Sequence, residues 1–239
     1  MRITAIILAA GVGRRFGPDA NERPKALLEV DGESLLERLV RQLQRAEVDR
    51  IVVVVGYRGD LIERALAGRE RVTLVQNPEF RRGAILSLWS ARAFLDGPVV
   101  VMDADVYMPC EMLDRLLRSA SESCFLLDGR VSPSGEEQML MVQGRRVVDI
   151  ARVPRGAYDA LGESVGFLKL SASGTTVLRE LLDARVARGD KDLEHEEVYP
   201  ELLQRVVVGF ERVDDLDWTE IDFPGDLERA RILARGLRG

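Results

Sequence analysis

The sequence predicts an α/β fold: a mostly parallel, Rossmann-like central sheet flanked by helices, with a smaller mixed β lid in the C-terminal half. In the first half, short apolar runs alternate with segments whose apolar residues recur at helical spacing. That rhythm is typical of a parallel sheet covered by helices on both faces. In the second half, apolar runs follow one another across short turns, which predicts hairpins.

In the first half of the sequence, predicted strands and helices alternate, as a parallel sheet requires. Ile3–Leu8 is a continuous apolar run, as expected of a strand covered on both faces. A loop rich in Gly and Arg leads from it to Lys25. The predicted elements that follow are a helix at 33–45, a strand at 51–55, a helix at 61–66, a strand at 73–75, a helix at 85–95 and a strand at 99–102.

The second half changes character. Turns such as Ser134-Gly135 and Gly144-Arg145 separate short apolar runs. The predicted elements are strands at 125–127, 138–142, 147–150 and 165–170, helices at 175–187 and 196–204, strands at 206–212 and 218–222, and a helix at 227–233. With no linker in view, we interpret residues 1–239 as a single domain, with 1–110 as the nucleotide-binding half and 111–239 as the half that binds the acceptor and completes a metal site.

Composition restricts the partners. The chain has 239 residues, is 46% hydrophobic and 31% charged, and carries a net charge of −6, so its overall field does not favour nucleic acid or an anionic membrane. No apolar run has the length of a membrane span. The two cysteines have neither metal-ligand nor disulfide-framework spacing, and the N-terminal run is too short for a secretory signal, so we expect a cytoplasmic protein. Whether it forms a homodimer stays open.

The residues after the first strand predict a phosphate site. Leu8 to Arg15 reads Leu-Ala-Ala-Gly-Val-Gly-Arg-Arg, and Pro18 and Pro24-Lys25 follow. Gly11 and Gly13 allow backbone N–H groups to turn toward phosphate oxygens, and Arg15 and Lys25 supply positive charge. The turn has neither the third Gly of a dinucleotide fingerprint nor the Gly-Lys-Ser/Thr of a P-loop. The alternative is a tight strand–helix connection with Lys25 at the surface.

This turn resembles the signature of the GT-A-like nucleotidyltransferases, which join a nucleoside triphosphate to a phosphorylated sugar or alcohol. The sugar-phosphate branch usually has Thr two residues after the proline, where this chain has Ala20, which argues against a sugar 1-phosphate. Later segments are similar to those of the small cytidylyltransferases that act on phosphocholine or 2-aminoethylphosphonate. These segments are Val55-Gly56-Tyr57, Asp103-Ala104-Asp105, 134–137, 162–166, 193–196 and 218–222.

The resemblance implies roles for the first turn. Arg15 would neutralise the β- and γ-phosphates, and Lys25, one of only three lysines, would bridge toward the reacting phosphate. Ala9, Ala10 and Gly56 would line the base pocket. The full set of expected nucleotide-binding residues is Leu8, Ala9, Ala10, Gly11, Val12, Gly13, Arg14, Gly56, Asp103 and Ala104.

Two acidic segments predict a magnesium site. The apolar run 99–102 ends in Asp103-Ala104-Asp105, and the late segment Trp218-Thr219-Glu220-Ile221 ends in Asp222. Carboxylate oxygens at a sheet edge suit Mg²⁺, which is usually held by one or two carboxylates and substrate phosphates. The resemblance assigns the metal to Asp105 and Asp222. The alternative is that each merely caps the helix that follows.

The acceptor is the least determined part of the site. Glu194, His195 and Glu197 lie at the start of a predicted helix, Glu137 lies beside a predicted lid strand, and Arg82 follows Arg81 in a basic pair. We expect carboxylates to face an amine on the acceptor, and Arg81 and Arg82 to hold its phosphorus group. A buried structural role for His195 and a solvated role for the arginine pair are the alternatives.

Together these observations predict a Mg²⁺-dependent nucleotidyltransferase. It would transfer CMP from CTP to a small phosphorylated or phosphonate alcohol or amine and release pyrophosphate. One alternative is a sugar-1-phosphate nucleotidyltransferase that uses UTP, dTTP or GTP. Another is a non-catalytic nucleotide-sensing domain.

Overall fold

The computed structural model describes residues 3–13, 23–130 and 135–236. The strands are β1 Thr4–Ala9, β2 Glu29–Val30, β3 Glu33–Ser34, β4 Arg50–Val55, β5 Val72–Gln76, β6 Val99–Asp103, β7 Val106–Tyr107, β8 Cys124–Asp128, β9 Met139–Gln143, β10 Arg146–Ala151, β11 Ala160–Leu170, β12 Gly209–Arg212 and β13 Thr219–Glu220. The α-helices are α1 Leu35–Arg45, α2 Gly59–Ala65, α3 Ile85–Ser90, α4 Cys110–Arg118, α5 Ala172–Ala187, α6 Tyr199–Arg205 and α7 Pro224–Gly236. Within the described ranges, short 3₁₀ turns cover Lys25–Leu27, Arg92–Phe94 and His195–Val198.

Nine of the described strands form one sheet. Its order is β10-β9-β11-β6-β1-β4-β5, with β8 paired to β11 and β12 paired to β8. β1 lies between β4 and β6 and is parallel to both. β11 runs antiparallel to β6 and joins the C-terminal strands to the parallel part. The predicted fold class is confirmed, and the antiparallel part of the C-terminal half is continuous with the main sheet.

The apolar runs are explained by burial on both faces of the sheet. Along β1, Ala5 and Ile7 pack on one face, whereas Ile6 packs on the other, as the alternation of a strand requires. The first face is covered by α1, α2 and α4, and the second by α3, α5 and α6. A third, small cluster packs α7 against Leu35 and Tyr107. Helices therefore cover both faces, which leaves the strand ends open for ligands.

Some helices and strands begin or end at other residues than predicted, because local backbone hydrogen bonds set their boundaries. The predicted helix 85–95 ends as an α-helix at Ser90 and continues as a 3₁₀ turn, and the predicted helix 196–204 begins as one. The predicted strand 206–212 begins at Gly209, because the Val206 N–H still bonds to Leu202 O at the end of α6. Helix α4 was not among the predicted elements. None of the helices in the described ranges combines the length and the hydropathy needed to cross a membrane.

Candidate active site

A cavity of about 440 Å³ opens at the carboxyl ends of β1 and β6. This is the edge of an open α/β sheet at which ligands are expected to bind. Both halves of the chain contribute to its wall. The lining residues are Leu8, Ala10, Gly11, Val12, Gly13, Lys25, Phe80, Arg81, Arg82, Ala84, Ser87, Asp103, Asp105, Glu136, Glu137, Gln138, Arg152, Glu163, Ser164, Gly166, Glu194, His195, Glu196, Glu220 and Asp222.

A small antiparallel pair of strands brings the two predicted metal ligands together. Asp105 follows β6, and the next residues form β7, which pairs with β13. The Ile221 N–H donates to the Asp105 backbone carbonyl at 3.0 Å. Asp222 therefore lies beside Asp105, although 117 positions separate them in the sequence (222 − 105).

Lys25 lies between these two carboxylates. Its Nζ is 2.5 Å from Asp105 Oδ2 and 2.7 Å from Asp222 Oδ1, and 14% of its side chain is exposed. Burial alone lowers the pKa of Lys25, but the charges of Asp105 and Asp222 and their hydrogen bonds outweigh it, so the pKa lies above its ordinary value. The amine is therefore an ammonium ion at neutral pH.

A third carboxylate completes a group that can hold a divalent cation. One oxygen each from Asp105, Glu220 and Asp222 lie within 4.8 Å of one another. Asp105 Oδ1 is buried and accepts no hydrogen bond from any described residue, so one ligand atom lacks a partner. Desolvation and the charges of Asp105 and Asp222 raise the pKa of Glu220 to about 8. An oxygen-only donor set of this kind fits Mg²⁺.

A second group of ligand-type side chains lies on the neighbouring wall. His195 Nε2 is 3.9 Å from Asp103 Oδ1, and His195 Nδ1 is 3.4 Å from Glu196 Oε2. Burial and the charges of Glu196, Asp105 and Glu220 raise the pKa of Asp103 well above its ordinary value. The His195 ring packs edge-on against Tyr199, with centroids 5.7 Å apart. The imidazole is thus fixed between two carboxylates.

The segment that carries His195 is fixed by backbone bonds to the start of α3. The Gly83 N–H donates to Lys191 O at 3.0 Å, and the Ile85 N–H donates to Leu193 O at 3.1 Å. A Cβ on Gly83 would lie 2.1 Å from Leu193 O, so only glycine permits this approach. We call residues 191–195 the docking segment. Its position sets where Glu194 and His195 face the cavity.

Part of the turn after β1 lines the cavity, as expected for a nucleotide-binding turn. Leu8, Ala10, Gly11, Val12 and Gly13 all face it. Gly13 has φ of 65°, a left-handed conformation that favours glycine. The expected roles of Arg14 and Arg15 lie outside the described residues.

Three residues expected to bind nucleotide do not line the cavity. Ala9 points into the opposite face of the sheet because side chains alternate along β1, and Ala104 is buried in that same layer. Gly56 lies behind Phe80, and a Cβ there would come within 2.4 Å of Phe80 Cβ. Of the three residues named for the base pocket, Ala10 lines the cavity and Ala9 and Gly56 do not, and the position of the base stays a prediction.

Two residues expected to bind the acceptor are hydrogen-bonded to other parts of the protein. Arg82 lines the cavity, but Asp192 holds it through two bonds of 2.8 and 2.7 Å. Glu197 is absent from the lining, because its carboxylate accepts from the Glu194 N–H at 2.7 Å and caps the 3₁₀ turn. Glu137, Glu194 and His195 do line the cavity.

Several lining residues escaped the sequence analysis. Glu220 is separated from Asp222 by one position in a strand-like segment, and this period of two could have revealed it. Arg81 belongs to the basic pair expected at the acceptor, and Glu163 was noted only as part of the segment 162–166. Arg152 carries no local sequence signal, because its place in the wall depends on how the sheet packs. Arg81 stacks on Phe80, with its guanidinium 5.2 Å from the ring centroid. Neither Arg81 nor Arg152 forms an ion pair with another described residue.

Comparison with known proteins assigns this chain to a family. The family described as the MobA-like NTP transferase domain matches residues 5–164. The bifunctional IPC transferase and DIPP synthase of Rubrobacter xylanophilus is 32% identical over 241 residues, which cover 98% of this chain and 52% of that protein. The CMP-5'-(3-aminopropyl)phosphonate synthase of Streptomyces rubellomurinus is 27% identical over 95% of this chain and 38% of its own length. The chain thus spans about half, or less, of these two curated relatives.

The fold has solved counterparts. The CTP:phosphocholine cytidylyltransferase of Streptococcus pneumoniae superposes with a TM-score of 0.81, covering 98% of this chain and 100% of that chain. The two sequences are 23% identical, so this likeness concerns the fold.

Proposed function

The chain belongs to the family of MobA-like NTP transferase domains, and from this premise we propose that it is a Mg²⁺-dependent cytidylyltransferase. It would transfer CMP from CTP to a small acceptor that bears a phosphate or phosphonate, with release of pyrophosphate. Both cysteines, Cys110 and Cys124, are free thiols, which fits a reaction in the cytoplasm.

One observation carries the proposal: Lys25, Asp105 and Asp222 meet beside a glycine-containing turn at the ligand-binding edge of the sheet. A helix-capping role does not explain this meeting. Asp222 and Asp105 contact the same ammonium group, and Asp226, not Asp222, accepts the backbone N–H groups of Asp222 and Phe223 at the start of α7. The arrangement concentrates opposite charges where a triphosphate would lie.

The reaction needs positioned charge more than a base. An anionic oxygen of the acceptor would attack the α-phosphorus of CTP; the new O–P bond forms as the bond to the β-phosphate oxygen breaks, and pyrophosphate leaves with that electron pair. The acceptor oxygen is already ionised at neutral pH, so no proton has to be removed. Lys25, kept charged by its two carboxylates, would stabilise the negative charge on the reacting phosphate.

Asp105, Glu220 and Asp222 would hold the magnesium ion. When bound, the ion supplies charge neutralisation for the phosphate oxygens. The backbone N–H groups of the turn from Ala10 to Gly13 would orient the nucleotide. Nothing in this arrangement requires His195 to act as a base.

The charged residues of the cavity wall support an acceptor that carries both a positive and a negative charge. Glu137, Glu163 and Glu194 line it, and they could face an amine. Arg81 and Arg152 line the same cavity and could hold a phosphate or phosphonate group, a role that the engaged Arg82 is less able to fill. The relative from Streptomyces rubellomurinus is a CMP-5'-(3-aminopropyl)phosphonate synthase, which supports this class of acceptor.

A matrix of substrates tests the proposal. Pyrophosphate release would be measured for CTP, UTP, dTTP, GTP and ATP, each against phosphocholine, 2-aminoethylphosphonate, a hexose 1-phosphate and an inositol phosphate. We expect the highest kcat/KM with CTP and an amine-bearing acceptor. A preference for UTP, dTTP or GTP with the hexose 1-phosphate would support sugar nucleotide synthesis instead.

A further inference from the structure

The proposed transfer of CMP assigns no chemical role to the side chains of Asp103, His195 and Glu196, which form one wall of the cavity. One ligand-type atom from each residue lies within 4.8 Å of the other two. The group combines two carboxylates with the only histidine of the chain. It lies beside the group of Asp105, Glu220 and Asp222 but shares no residue with it.

These side chains contact one another but form no hydrogen bond to a described residue. His195 is 4% exposed, lines the cavity, and forms no hydrogen bond through either ring nitrogen to any described residue. Within the described residues, the carboxylates of Asp103 and Glu196 also accept no hydrogen bond, and their side chains are only 23% and 17% exposed. The wall therefore presents three ligand-type side chains to the cavity without hydrogen bonds from the described residues.

The charge of this wall has the sign that a cation requires. Asp103 and Glu196 face each other across His195, and Asp105 and Glu220 are close enough to act on the charge of Asp103. The ammonium of Lys25 is already shared between Asp105 and Asp222. Arg81 and Arg152 line the same cavity, but within the described residues neither forms an ion pair with Asp103 or Glu196.

We propose that Asp103, His195 and Glu196 bind a second divalent cation, of the borderline class that accepts imidazole nitrogen, such as Zn²⁺, Co²⁺ or Mn²⁺. One ligand atom from each of the three residues lies within 4.8 Å of the other two, whereas ligand atoms around such an ion are about 3–3.4 Å apart, so the side chains must move closer together to close the site around one ring nitrogen of His195. Three protein ligands leave at least one position for water or a substrate oxygen.

The donor types separate this site from the magnesium site. Mg²⁺ prefers oxygen ligands and keeps several waters, whereas imidazole suits zinc, copper, iron and nickel. The group Asp105, Glu220 and Asp222 contains oxygen donors only, and the group on the neighbouring wall contains one nitrogen donor. Excess Mg²⁺ should therefore fill the first and leave the second to the borderline ion.

The test is a calorimetric titration of the tag-free, metal-stripped protein with Zn²⁺ in excess Mg²⁺. A tag-free chain is needed because His195 is then its only imidazole. We expect one Zn²⁺ site per chain, weakened at least about tenfold by His195→Gln and retained in Asp222→Asn. The same weakening is expected for Glu196→Gln, which keeps the test decisive if His195→Gln does not fold.

Two further measurements make the assignment specific. Cys110→Ser should leave Zn²⁺ binding unchanged, which excludes the exposed thiol as the ligand. Pulsed electron paramagnetic resonance of the Mn²⁺-loaded protein should show coupling to imidazole nitrogen, and His195→Gln should abolish it. Zn²⁺ binding that is insensitive to His195→Gln and Glu196→Gln, or its absence from the wild-type protein, would overturn the proposal.

Discussion

At the scale of single residues, Lys25 shows how the sequence and the structure contribute differently. The sequence singles it out because it is one of three lysines and follows Pro24 in a motif. The structure adds its contacts: two carboxylates from distant parts of the chain hold its Nζ. Arg82 shows the reverse, because a basic pair in the sequence does not reveal that Asp192 binds one of its members.

We predict that Lys25→Ala lowers kcat/KM at least about 100-fold, close to 3 kcal/mol of transition-state stabilisation. The variant removes the charge that faces the reacting phosphate and leaves Asp105 and Asp222 unneutralised. Steady-state kinetics of pyrophosphate release would measure the loss. The matched control is Lys191→Ala, since Lys191 forms one partly exposed ion pair with Glu79. Equal activity in the two variants would remove Lys25 from the mechanism.

Asp105→Asn and Asp222→Asn should each abolish Mg²⁺-dependent turnover while the protein stays folded. The substitution changes charge and metal affinity with little change in size. Circular dichroism would show whether each variant is folded, and a titration of activity against Mg²⁺ would measure its metal dependence. Asp60→Asn, at an exposed aspartate on α2, is the control. If Asp222→Asn kept normal Mg²⁺ dependence, Asp222 would not be a metal ligand.

Glu163 provides a pH-dependent prediction. Burial and the charges of Glu137 and Asp128 raise the pKa of Glu163 to about 7. The folded protein therefore holds this proton more tightly than the unfolded chain does, and the resulting stability is lost as the pH rises through about 7. Glu163→Gln, which stays neutral, should raise the Tm relative to wild type at about pH 8 and change it little at about pH 5.

Thermal unfolding at the two pH values would measure the effect of Glu163→Gln. Glu63→Gln, at an exposed glutamate on α2, should show no such difference. A Tm advantage of Glu163→Gln that is equal at both pH values would contradict the raised pKa.

At the scale of elements, the docking segment illustrates what local sequence patterns miss. Residues 191–195 have no regular secondary structure before the 3₁₀ turn, yet two backbone bonds fix them against the start of α3. The strands of the first half were predictable, because continuous apolar runs are required of strands covered on both faces. The strand predicted at 218–222 contains β13, but its pairing with β7 was beyond sequence reasoning because the two strands, of two residues each, lie far apart in the chain.

Gly83→Ala should destabilise the protein by about 2 kcal/mol or more and weaken binding of the acceptor. Its Cβ would lie 2.1 Å from Leu193 O and 2.4 Å from the Asp192 carbonyl carbon, so backbone must move and carry Glu194 and His195 with it. Chemical denaturation and the acceptor KM would be measured together. The control is Gly97→Ala, where a Cβ would contact nothing within 4 Å. Equal stability of the two variants would contradict the tight docking.

At the scale of the whole molecule, the sequence was sufficient for the fold class and for part of the cavity wall. Asp105 and Asp222 were predicted as partners from the resemblance, and the structure supplies the reason for their proximity in the pairing of β7 with β13. The acceptor wall was predicted less completely. Glu163 reaches it from β11, whereas Arg81 and Arg152 lie in two separate loops, and no spacing in the chain records how these three residues meet.

The measurement that tests the central proposal most directly is ³¹P NMR of the tag-free protein with CTP, Mg²⁺ and 2-aminoethylphosphonate. Nucleotidyl transfer predicts that CTP and the phosphonate are consumed together, that a CMP-linked phosphonate and pyrophosphate appear in equal amounts, and that Asp222→Asn forms neither. If CTP is bound but stays intact with this acceptor, with phosphocholine and with a hexose 1-phosphate, the chain is a nucleotide-sensing domain and the proposed reaction is contradicted.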